Sequence, residues 1–268
     1  MVATRALRGG MSSAVHRLLV ASAAGQTSVV LRRHVRPEVL AAEPGLPDRE
    51  AATLRYLEGV DLPTPRLLGL DRTGEEAGVP ALLMSHLGGR VDWWPEDEAR
   101  WLRRLAAVLP AIHAVRVPGP GLLPDFAPYR QAHDDPPPWA ERPAVWERAL
   151  EIAGGPTPDL PRVLVHRDFH PGNVLWRRGA VSGVVDWQVT SVGPGDVDVG
   201  HCRVNLLTRS SEAAARFTAH WEELTGSTYH PWADVVTVVG FLDDLHEVPG
   251  SDRNRTEELL ARAVAELG

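Results

Sequence analysis

Two histidines, an aspartate and an asparagine lie close together in VLVHRDFHPGNVLW, residues 163–176, between two short apolar runs. Asp168 and Asn173 are five positions apart, and Asp186 follows thirteen residues later, at the end of the apolar run VSGVV. Two kinds of chemistry use such groups. His and Asp side chains can hold zinc or manganese for hydrolysis. A carboxylate and an amide oxygen instead suit magnesium, which prefers oxygen ligands and keeps several waters.

The spacing of these residues favours phosphoryl transfer. The same interval separates Asp and Asn in H-R-D-x-x-x-x-N, the catalytic loop of kinases. Phosphoryl transfer requires mainly that the γ-phosphate, the magnesium ion and the acceptor hydroxyl be held in line. Asn173 and Asp186 would then ligate the ion, and Asp168 would accept or orient the hydroxyl proton. A zinc site would leave Asn173 and Asp186 without a role, and its further ligand candidate, His201, lacks any paired-His spacing.

LVHRDFHPGNVLW followed by GVVDWQ resembles the aminoglycoside phosphotransferase family, a branch of the protein-kinase-like fold. The resemblance covers nearly the whole chain. VVLRRH resembles the strand with the basic phosphate contact, REAATLRYL the helix with its acidic partner, PALLMSHLGG the strand and hinge between lobes, and GPGDVDVGHCRVNL the segment after the magnesium Asp. It implies an α+β, bilobal protein-kinase-like fold. Residues 1–88 would form a small β-rich, nucleotide-binding lobe, and residues 89–268 a larger, mostly helical lobe with the catalytic loop and substrate site.

The resemblance also implies roles for individual residues. Asp168 is the expected catalytic base, and Asn173 and Asp186 are the expected Mg²⁺ ligands. Arg32 stands where a basic residue contacts the α/β-phosphates of ATP or GTP, with Glu50 as its acidic partner. The other nucleotide contacts that it implies are Met84, Ser85 and Leu87, and Asp198 is the implied brace of the catalytic loop. From the residues themselves, Ser12 is a further candidate for a phosphate contact, His166 is expected to support the loop by packing and hydrogen bonding, and His170 is expected either to support the loop or to contact the substrate.

The basic and glycine residues limit how phosphate can be bound. The chain has no lysine, so a Walker A loop, which needs its Lys on the phosphates, is excluded. Arg32 instead offers a planar guanidinium that can grip phosphate oxygens with two hydrogen bonds. No clear G-x-G-x-x-G is present, and Gly9, Gly10 and the pair at 12–13 are the candidates for a phosphate-covering turn.

Composition and charge narrow the class of protein. The formal net charge of -7 argues against a nucleic-acid or anionic-membrane partner, because both favour a basic surface. No run approaches the roughly 20 apolar residues of a membrane span, and His16 and Arg17 interrupt the N-terminal stretch that imitates a signal peptide. The single cysteine, Cys202, excludes an internal disulfide and fits a reducing compartment. We therefore expect a cytoplasmic protein, whose oligomeric state the sequence leaves open.

A segment consisting mainly of strands up to residue 88, and a mostly helical segment after it, are expected to position the polar groups. AVHRLLVAS and TSVVLRRHV predict a hairpin, and PRLLGLD and VPALLMSHL predict further strands. DREAATLRYLEG predicts a helix with Asp48 as N-cap, and PEDEARWLRRLAAVLPAIHAV predicts a single long helix. VLVH, NVLW and VSGVVDW predict short strands, and later segments predict helices. We expect the side chains at 168, 173 and 186 to converge in the cleft between the lobes.

The acceptor is expected to be a small molecule. Asp198 follows Asp186 by twelve residues, which leaves no room for the activation loop of a protein kinase. Carboxylates at Asp243, Asp244 and Glu247 would suit an aminoglycoside-like or other amino-alcohol by charge complementarity, although a solvated acidic helix face has the same pattern. The alternatives are a catalytically weak nucleotide-binding pseudokinase and a His/Asp metal-dependent hydrolase.

Overall fold

The described part of the chain, residues 2–7, 13–23, 25–129, 135–243, 245 and 248–268, contains both strands and helices in the computed structural model. In chain order its strands are β1 (Ala3–Leu7), β2 (Ala14–Ser22), β3 (Gly25–Arg33), β4 (Leu67–Asp71), β5 (Ala81–Ser85), β6 (Arg90–Val91), β7 (Arg162–Val165), β8 (Val174–Arg177), β9 (Ala180–Val184) and β10 (Ser191–Pro194). Its helices are α1 (Pro37–Ala42), α2 (Leu46–Tyr56), α3 (Glu98–Ala106), α4 (Val108–His113), α5 (Pro143–Gly154), α6 (Asp196–Leu206), α7 (Ser211–Thr225), α8 (Trp232–Gly240) and α9 (Gly250–Leu267).

The chain divides into two compact units. The first comprises Met1–Trp93, Pro118–Leu123 and Gly172–Thr190, and the second comprises Trp94–Val117, Pro124–Pro171 and Ser191–Gly268. Most of the strands lie in the first unit and most of the helices in the second. The functional division at residue 88 remains a prediction.

The first unit is built on a five-stranded antiparallel sheet in the order β1-β2-β3-β5-β4, against which α2 packs. Arg32, near the end of β3, lies opposite Leu82 of β5 and is buried. The first unit also contains the β8–β9 hairpin, to which β6 adds an edge. Its turn has positive φ at both Arg178 (54°) and Gly179 (73°), the conformation that matches the twist of a two-residue hairpin.

The hairpin places the polar residues at its open end. Asn173 immediately precedes β8 and Asp186 follows β9 by two positions. The carbonyl oxygen of Asn173 accepts a hydrogen bond of 2.9 Å from the N–H of Val185. The two predicted magnesium ligands are therefore on neighbouring backbone segments at one end of the hairpin.

The second unit packs helices around a short antiparallel pair, β7 and β10. Helix α6 lies against α7 and α8, and α5 and α9 pack on α8. A buried apolar cluster of Val165, Val197, Trp232, Ala233 and Val236 links β7, α6 and α8. This cluster supports the strand from which the predicted catalytic segment emerges.

Two predicted helix boundaries were wrong, and each has a physical reason. Helix α2 begins at Leu46 with Gly45 as N-cap, so Asp48 lies in the first turn, where its carboxylate bonds Arg72. The predicted single helix after residue 95 is divided into α3 and α4. Pro110 has no N–H to donate to the carbonyl of Ala106, so the hydrogen-bond ladder is interrupted where α3 ends.

No helix among the described residues is both long and apolar enough to cross a membrane.

The contact between α6 and α8 predicts a stability effect at Gly200. A Cβ atom there would lie 2.8 Å from the carbonyl oxygen of Ala233, and that backbone atom cannot move aside. We expect Gly200→Ala to lower the free energy of unfolding by about 1–3 kcal/mol, although alanine favours helix. Denaturant unfolding curves would measure the change.

Gly154, also helical, is the matched control, because a Cβ atom there would meet nothing within 4 Å. We expect Gly154→Ala to leave stability unchanged or raise it by up to about 1 kcal/mol. Equal effects of the two substitutions would contradict the close approach of α6 and α8.

Candidate functional site

A cavity of about 360 Å³ lies in the first unit. Its apolar wall comes from strands of the sheet and from the hairpin, and its polar wall comes from four buried or half-buried side chains. The apolar lining includes Leu7, Val15, Val30, Met84, Leu87, Val91, Leu175 and Val185, and the polar lining includes Arg32, Glu50, Asn173 and Asp186. Seven predicted nucleotide or metal contacts, Ser85 among them, thus border one cavity.

A buried guanidinium organises the polar wall. Nη1 of Arg32 donates a hydrogen bond of 2.7 Å to Oδ1 of Asp186, and Nε of Arg32 lies 3.6 Å from Oε2 of Glu50. Asp186 Oδ1 also accepts a 2.7 Å hydrogen bond from Nε2 of Gln188. Arg32 is only 5% exposed and Glu50 only 1%. The ionic contacts of these groups are thus weakly screened by solvent.

Burial, more than any neighbour, sets the protonation of Glu50. Removal from solvent raises the pKa of Glu50 to about 7, with a further increase from the charge of Asp186. The charge of Arg32 and a backbone hydrogen bond from Trp187 lower this pKa but do not offset the burial. The 3.6 Å separation from Arg32 is too long for a hydrogen bond, which explains why the ion pair compensates only in part.

The hinge predicted around Met84, Ser85 and Leu87 borders the cavity where β5 ends. Met84 is buried. The backbone N–H of Ser85 donates to the carbonyl of Arg66 at 2.9 Å, and its hydroxyl accepts from the N–H of Arg66 at 2.8 Å. Ser85 is therefore tied to Arg66 at the start of the predicted hinge.

Gly89 allows the backbone that follows the predicted hinge to pass close to strands β8 and β9. Its φ is +147°, and a Cβ atom there would lie 2.4 Å from the hydroxyl oxygen of Ser182 and 3.1 Å from Cβ of Leu175. A larger residue would collide with β8 and β9. Ser12, the remaining predicted nucleotide contact, lies outside the described residues, as do Gly9 and Gly10.

The donor atoms at the end of the hairpin fit a hard divalent cation. Asn173 supplies an amide oxygen and Asp186 a carboxylate, and magnesium takes its remaining ligands from water and phosphate. Asp186 has φ = +70°, which is strained for a non-glycine residue. Among the described residues, no group of three or more His, Cys, Asp or Glu side chains is arranged to hold a metal.

In the second unit, Asp168 lies on the segment after β7, beside two histidines. Its Oδ1 is 3.0 Å from Nε2 of His201 and 3.7 Å from Nε2 of His170. Burial alone would raise the pKa of Asp168, but the hydrogen bond and charge of His201 and the charges of His170 and His166 hold it well below its usual range. Asp168 is therefore an anion throughout the neutral pH range.

Asp198 of α6 holds the backbone of this segment. Its carboxylate is fully buried and accepts hydrogen bonds from the N–H groups of His166 (2.9 Å) and Arg167 (2.6 Å), and His113 Nε2 lies 3.0 Å away. Burial opposes its ionisation, yet the bond from His113 and the other contacts lower the pKa of Asp198. His166 is fully buried, and its Nδ1 accepts a 3.3 Å hydrogen bond from the N–H of Asp168.

Arg167 is held in a strained conformation by several contacts. Its φ is +70°, which costs on the order of 1–3 kcal/mol for a residue with a side chain. Its guanidinium lies 4.2 Å from the ring centroid of Tyr129 and 5.0 Å from that of Phe126, and it donates to the carbonyl of Ala127. These contacts, with the bond to Asp198, fix the backbone next to Asp168.

The acidic substrate contacts predicted near residue 245 are only partly described. Asp243 is exposed, and Asp244 and Glu247 lie outside the described residues. The sequence pattern indicates His201 only as a candidate metal ligand and does not predict its hydrogen bond to Asp168. Its position three residues after Asp198 on one helix was the available signal, because residues three apart share a helix face.

Comparison with known proteins decides the family. The sequence model of the phosphotransferase enzyme family (APH) matches residues 4–235. The chain belongs to this family. The predicted family and the predicted enzyme class, a phosphotransferase, are confirmed.

Solved structures share the fold of this phosphotransferase at low identity. A thermostable mutant of aminoglycoside phosphotransferase APH(4)-Ia, in a ternary complex with ADP and hygromycin B, is 17% identical with a TM-score of 0.66, over 98% of this chain and 94% of that one. Amicoumacin kinase hAmiN, in complex with AMP-PNP, Ca²⁺ and Ami, is 14% identical with a TM-score of 0.65, over 98% and 88%. Macrolide 2'-phosphotransferase MphH from Brachybacterium faecium is 19% identical with a TM-score of 0.57, over 96% and 91%. These likenesses confirm the predicted α+β, protein-kinase-like fold class.

The raised pKa of Glu50 predicts a pH-dependent effect on stability. An acid whose pKa is about 7 when folded and near 4.5 when unfolded stabilises the folded state at low pH, and this contribution is lost as the pH rises through 7. Replacing Glu50 with Gln removes the titration. We expect the gain in unfolding free energy of Glu50→Gln over the parental protein to be about 2 kcal/mol larger at pH 8 than at pH 5.

Chemical denaturation at the two pH values would measure this difference. Glu58→Gln is the matched control, because Glu58 follows the same helix and is exposed. A Glu50→Gln effect of equal size at both pH values would contradict the assignment.

Proposed function

We propose that this phosphotransferase is a small-molecule kinase that transfers the γ-phosphoryl group of ATP or GTP to a hydroxyl of an aminoglycoside-like or other amino-alcohol substrate. The observation that carries the proposal is the cavity of the first unit, which joins an apolar wall to Arg32, Asn173 and Asp186. The presence of ADP or AMP-PNP in the complexes of APH(4)-Ia and hAmiN supports a nucleotide donor.

The two walls of the cavity match the two halves of a nucleotide. The apolar wall at Val30 and Met84 suits a purine base, and the backbone after Ser85 offers hydrogen-bonding groups to the base edge. Arg32 would bind phosphate oxygens, since its planar guanidinium lines the cavity and matches the geometry of phosphate oxygens. In this assignment residues 1–88 serve mainly the nucleotide.

Asn173 and Asp186 would hold Mg²⁺ by their side-chain oxygens. The bound ion would supply neutralisation of charge on the β- and γ-phosphates. Oδ1 of Asp186 is already engaged by Arg32 and Gln188, so the basic group and the metal ligand are tied together before any ligand arrives. This arrangement pre-organises the phosphate site.

Asp168, which belongs to residues 89–268 in the proposed functional division, would act on the acceptor hydroxyl. The hydroxyl oxygen forms a bond to the γ-phosphorus while the bond from that phosphorus to the bridging β-γ oxygen breaks, and the hydroxyl proton passes to the carboxylate of Asp168. Because Asp168 is held anionic, it orients the hydroxyl strongly and takes the proton late. Asp198 and Arg167 would keep the segment rigid.

Acidic side chains are proposed to bind the acceptor by charge complementarity. Asp243, Asp244 and Glu247 would attract a cationic amino-alcohol. Hygromycin B and Ami in the complexes of APH(4)-Ia and hAmiN support a small-molecule acceptor. A cytoplasmic location, with no nucleic-acid or membrane partner, remains a prediction.

A screen for acceptor-dependent nucleotide consumption tests the function. Purified protein with Mg²⁺ and ATP, or GTP, would be offered aminoglycosides, macrolides and simpler amino-alcohols, and ADP or GDP formation would be measured. We expect one acceptor class to raise nucleotide consumption above the rate with water and to yield a phosphorylated product by mass spectrometry. Nucleotide binding without consumption for every acceptor would favour a pseudokinase and contradict the proposal.

Asp168→Asn is the sharpest single change, because it keeps the size of the side chain and removes its charge. We expect turnover to fall by about two to four orders of magnitude, with the dissociation constant of the nucleotide unchanged. Steady-state kinetics and calorimetric titration would measure the two quantities. Parental turnover in this variant would show that Asp168 does not receive the proton.

Asp186→Asn should affect a different quantity. We expect it to weaken binding of Mg²⁺–ATP by roughly tenfold or more, because one carboxylate charge on the ion is lost. Binding of ATP with the metal chelated should weaken much less. Asp48→Asn, an exposed ion-pair partner of Arg72, is the control. Equal losses with and without the metal would argue against Asp186 as a ligand.

A further inference from the structure

We propose that His201 is a positioning residue for Asp168, and that its ring nitrogen fixes the carboxylate in the orientation that receives the acceptor proton. This inference rests on the proposed function, since it assumes that Asp168 acts on the acceptor hydroxyl. The contact that carries it is the 3.0 Å separation between Nε2 of His201 and Oδ1 of Asp168.

Helix α6 holds both the backbone and the side chain of the catalytic segment. Asp198 binds the N–H groups of His166 and Arg167, and His201, three residues along the same helix, binds the carboxylate of Asp168. Residues three apart point to the same side of a helix, so one rigid element sets both contacts. Without the contact from His201, the carboxylate of Asp168 could rotate about its side-chain torsion angles.

The ring of His201 is itself held in place. Its centroid lies 5.0 Å from that of Phe241 with an interplanar angle of 62°, an edge-to-face contact that limits rotation. The ring of His170 lies 5.9 Å away. The side chain of His201 is only 14% exposed. A hydrogen-bond donor can fix the orientation of its partner only if other contacts hold the donor itself in place.

Among the described residues, His201 from α6 and His170 and His166 from its own segment are titratable groups whose charges act on Asp168. Phe241, which follows α8, adds an apolar surface against His201. Loss of His201 would remove a hydrogen bond and a charge from the anionic form of Asp168, so the pKa of Asp168 would rise. Since the reaction needs the anion, the fall in turnover at acid pH would begin at a higher pH.

Variants of His201 separate a donor role from a role in packing. His201→Gln keeps an N–H donor at a comparable reach, whereas His201→Ala removes the donor and the ring. We expect His201→Ala to lower kcat by about 10- to 100-fold, to move the acid limb of the kcat–pH profile upward and to leave the KM for nucleotide unchanged. His201→Gln should recover most of the lost kcat.

His220→Ala is the matched control. His220 lies on α7, where its ring is near Glu223, and it has no part in the proposed mechanism. We expect its kinetics to match those of the parental enzyme. Parental kcat and an unmoved acid limb in His201→Ala would overturn the inference, as would a His201→Gln variant that is folded but no more active than His201→Ala.

A measurement without turnover distinguishes failure of the inference from failure of the proposed function. Ring ¹⁵N resonances of His201 would be compared between the parental protein and Asp168→Asn. We expect the His201 resonances to shift and those of His220 to stay in place. Unshifted His201 resonances overturn the inference even if the enzyme is active. Shifted resonances in a protein that phosphorylates no acceptor would support the pairing while rejecting the proposed function.

Discussion

The polar wall of the cavity depends on one guanidinium buried between two carboxylates. A charged Arg32 in the sheet would be costly to bury without partners, and Asp186 and Glu50 supply them. These contacts join β3, α2 and the segment after β9, which are far apart in the sequence. The pKa of Glu50 nevertheless stays raised, because the charge of Arg32 offsets only part of the effect of burial.

Two of the three described non-glycine residues with positive φ lie at or beside residues proposed for phosphoryl transfer, and the third, Arg178, lies in the turn between β8 and β9. Arg167 and Asp186 have positive φ, and each is a direct neighbour of, or identical to, a residue assigned to phosphoryl transfer. Such conformations persist only where the surroundings over-determine them. Asp198, Tyr129 and Phe126 do this for Arg167, and Arg32 and Gln188 hold the side chain of Asp186.

Sequence patterns predicted the local elements better than their ends. Strand β2 coincides with AVHRLLVAS because the segment is rich in residues that favour strands and a glycine-containing turn follows it. The start of α2 depends on Gly45 as its N-cap, and the interruption after α3 depends on the N–H that Pro110 lacks. Overall residue composition predicts neither boundary. Strands β1 and β10 were not expected, because ATRAL and SVGP carry no alternating apolar pattern and pair only through tertiary context. Spacing also predicted Asp168, Asn173 and Asp186 as a set, which stays a prediction. The hydrogen bond between His201 and Asp168 could not be predicted in this way, because it joins segments that only the folded chain brings together.

The use of arginine in β3 has a consequence for chemical labelling. Reagents that acylate nucleotide sites react with the amine of a lysine side chain, and this chain contains no lysine. The delocalised guanidinium of Arg32 stays protonated and is a poor nucleophile. An acyl-phosphate nucleotide probe would therefore find no lysine amine to acylate at this cavity, so failure to label it would not argue against the proposed nucleotide binding.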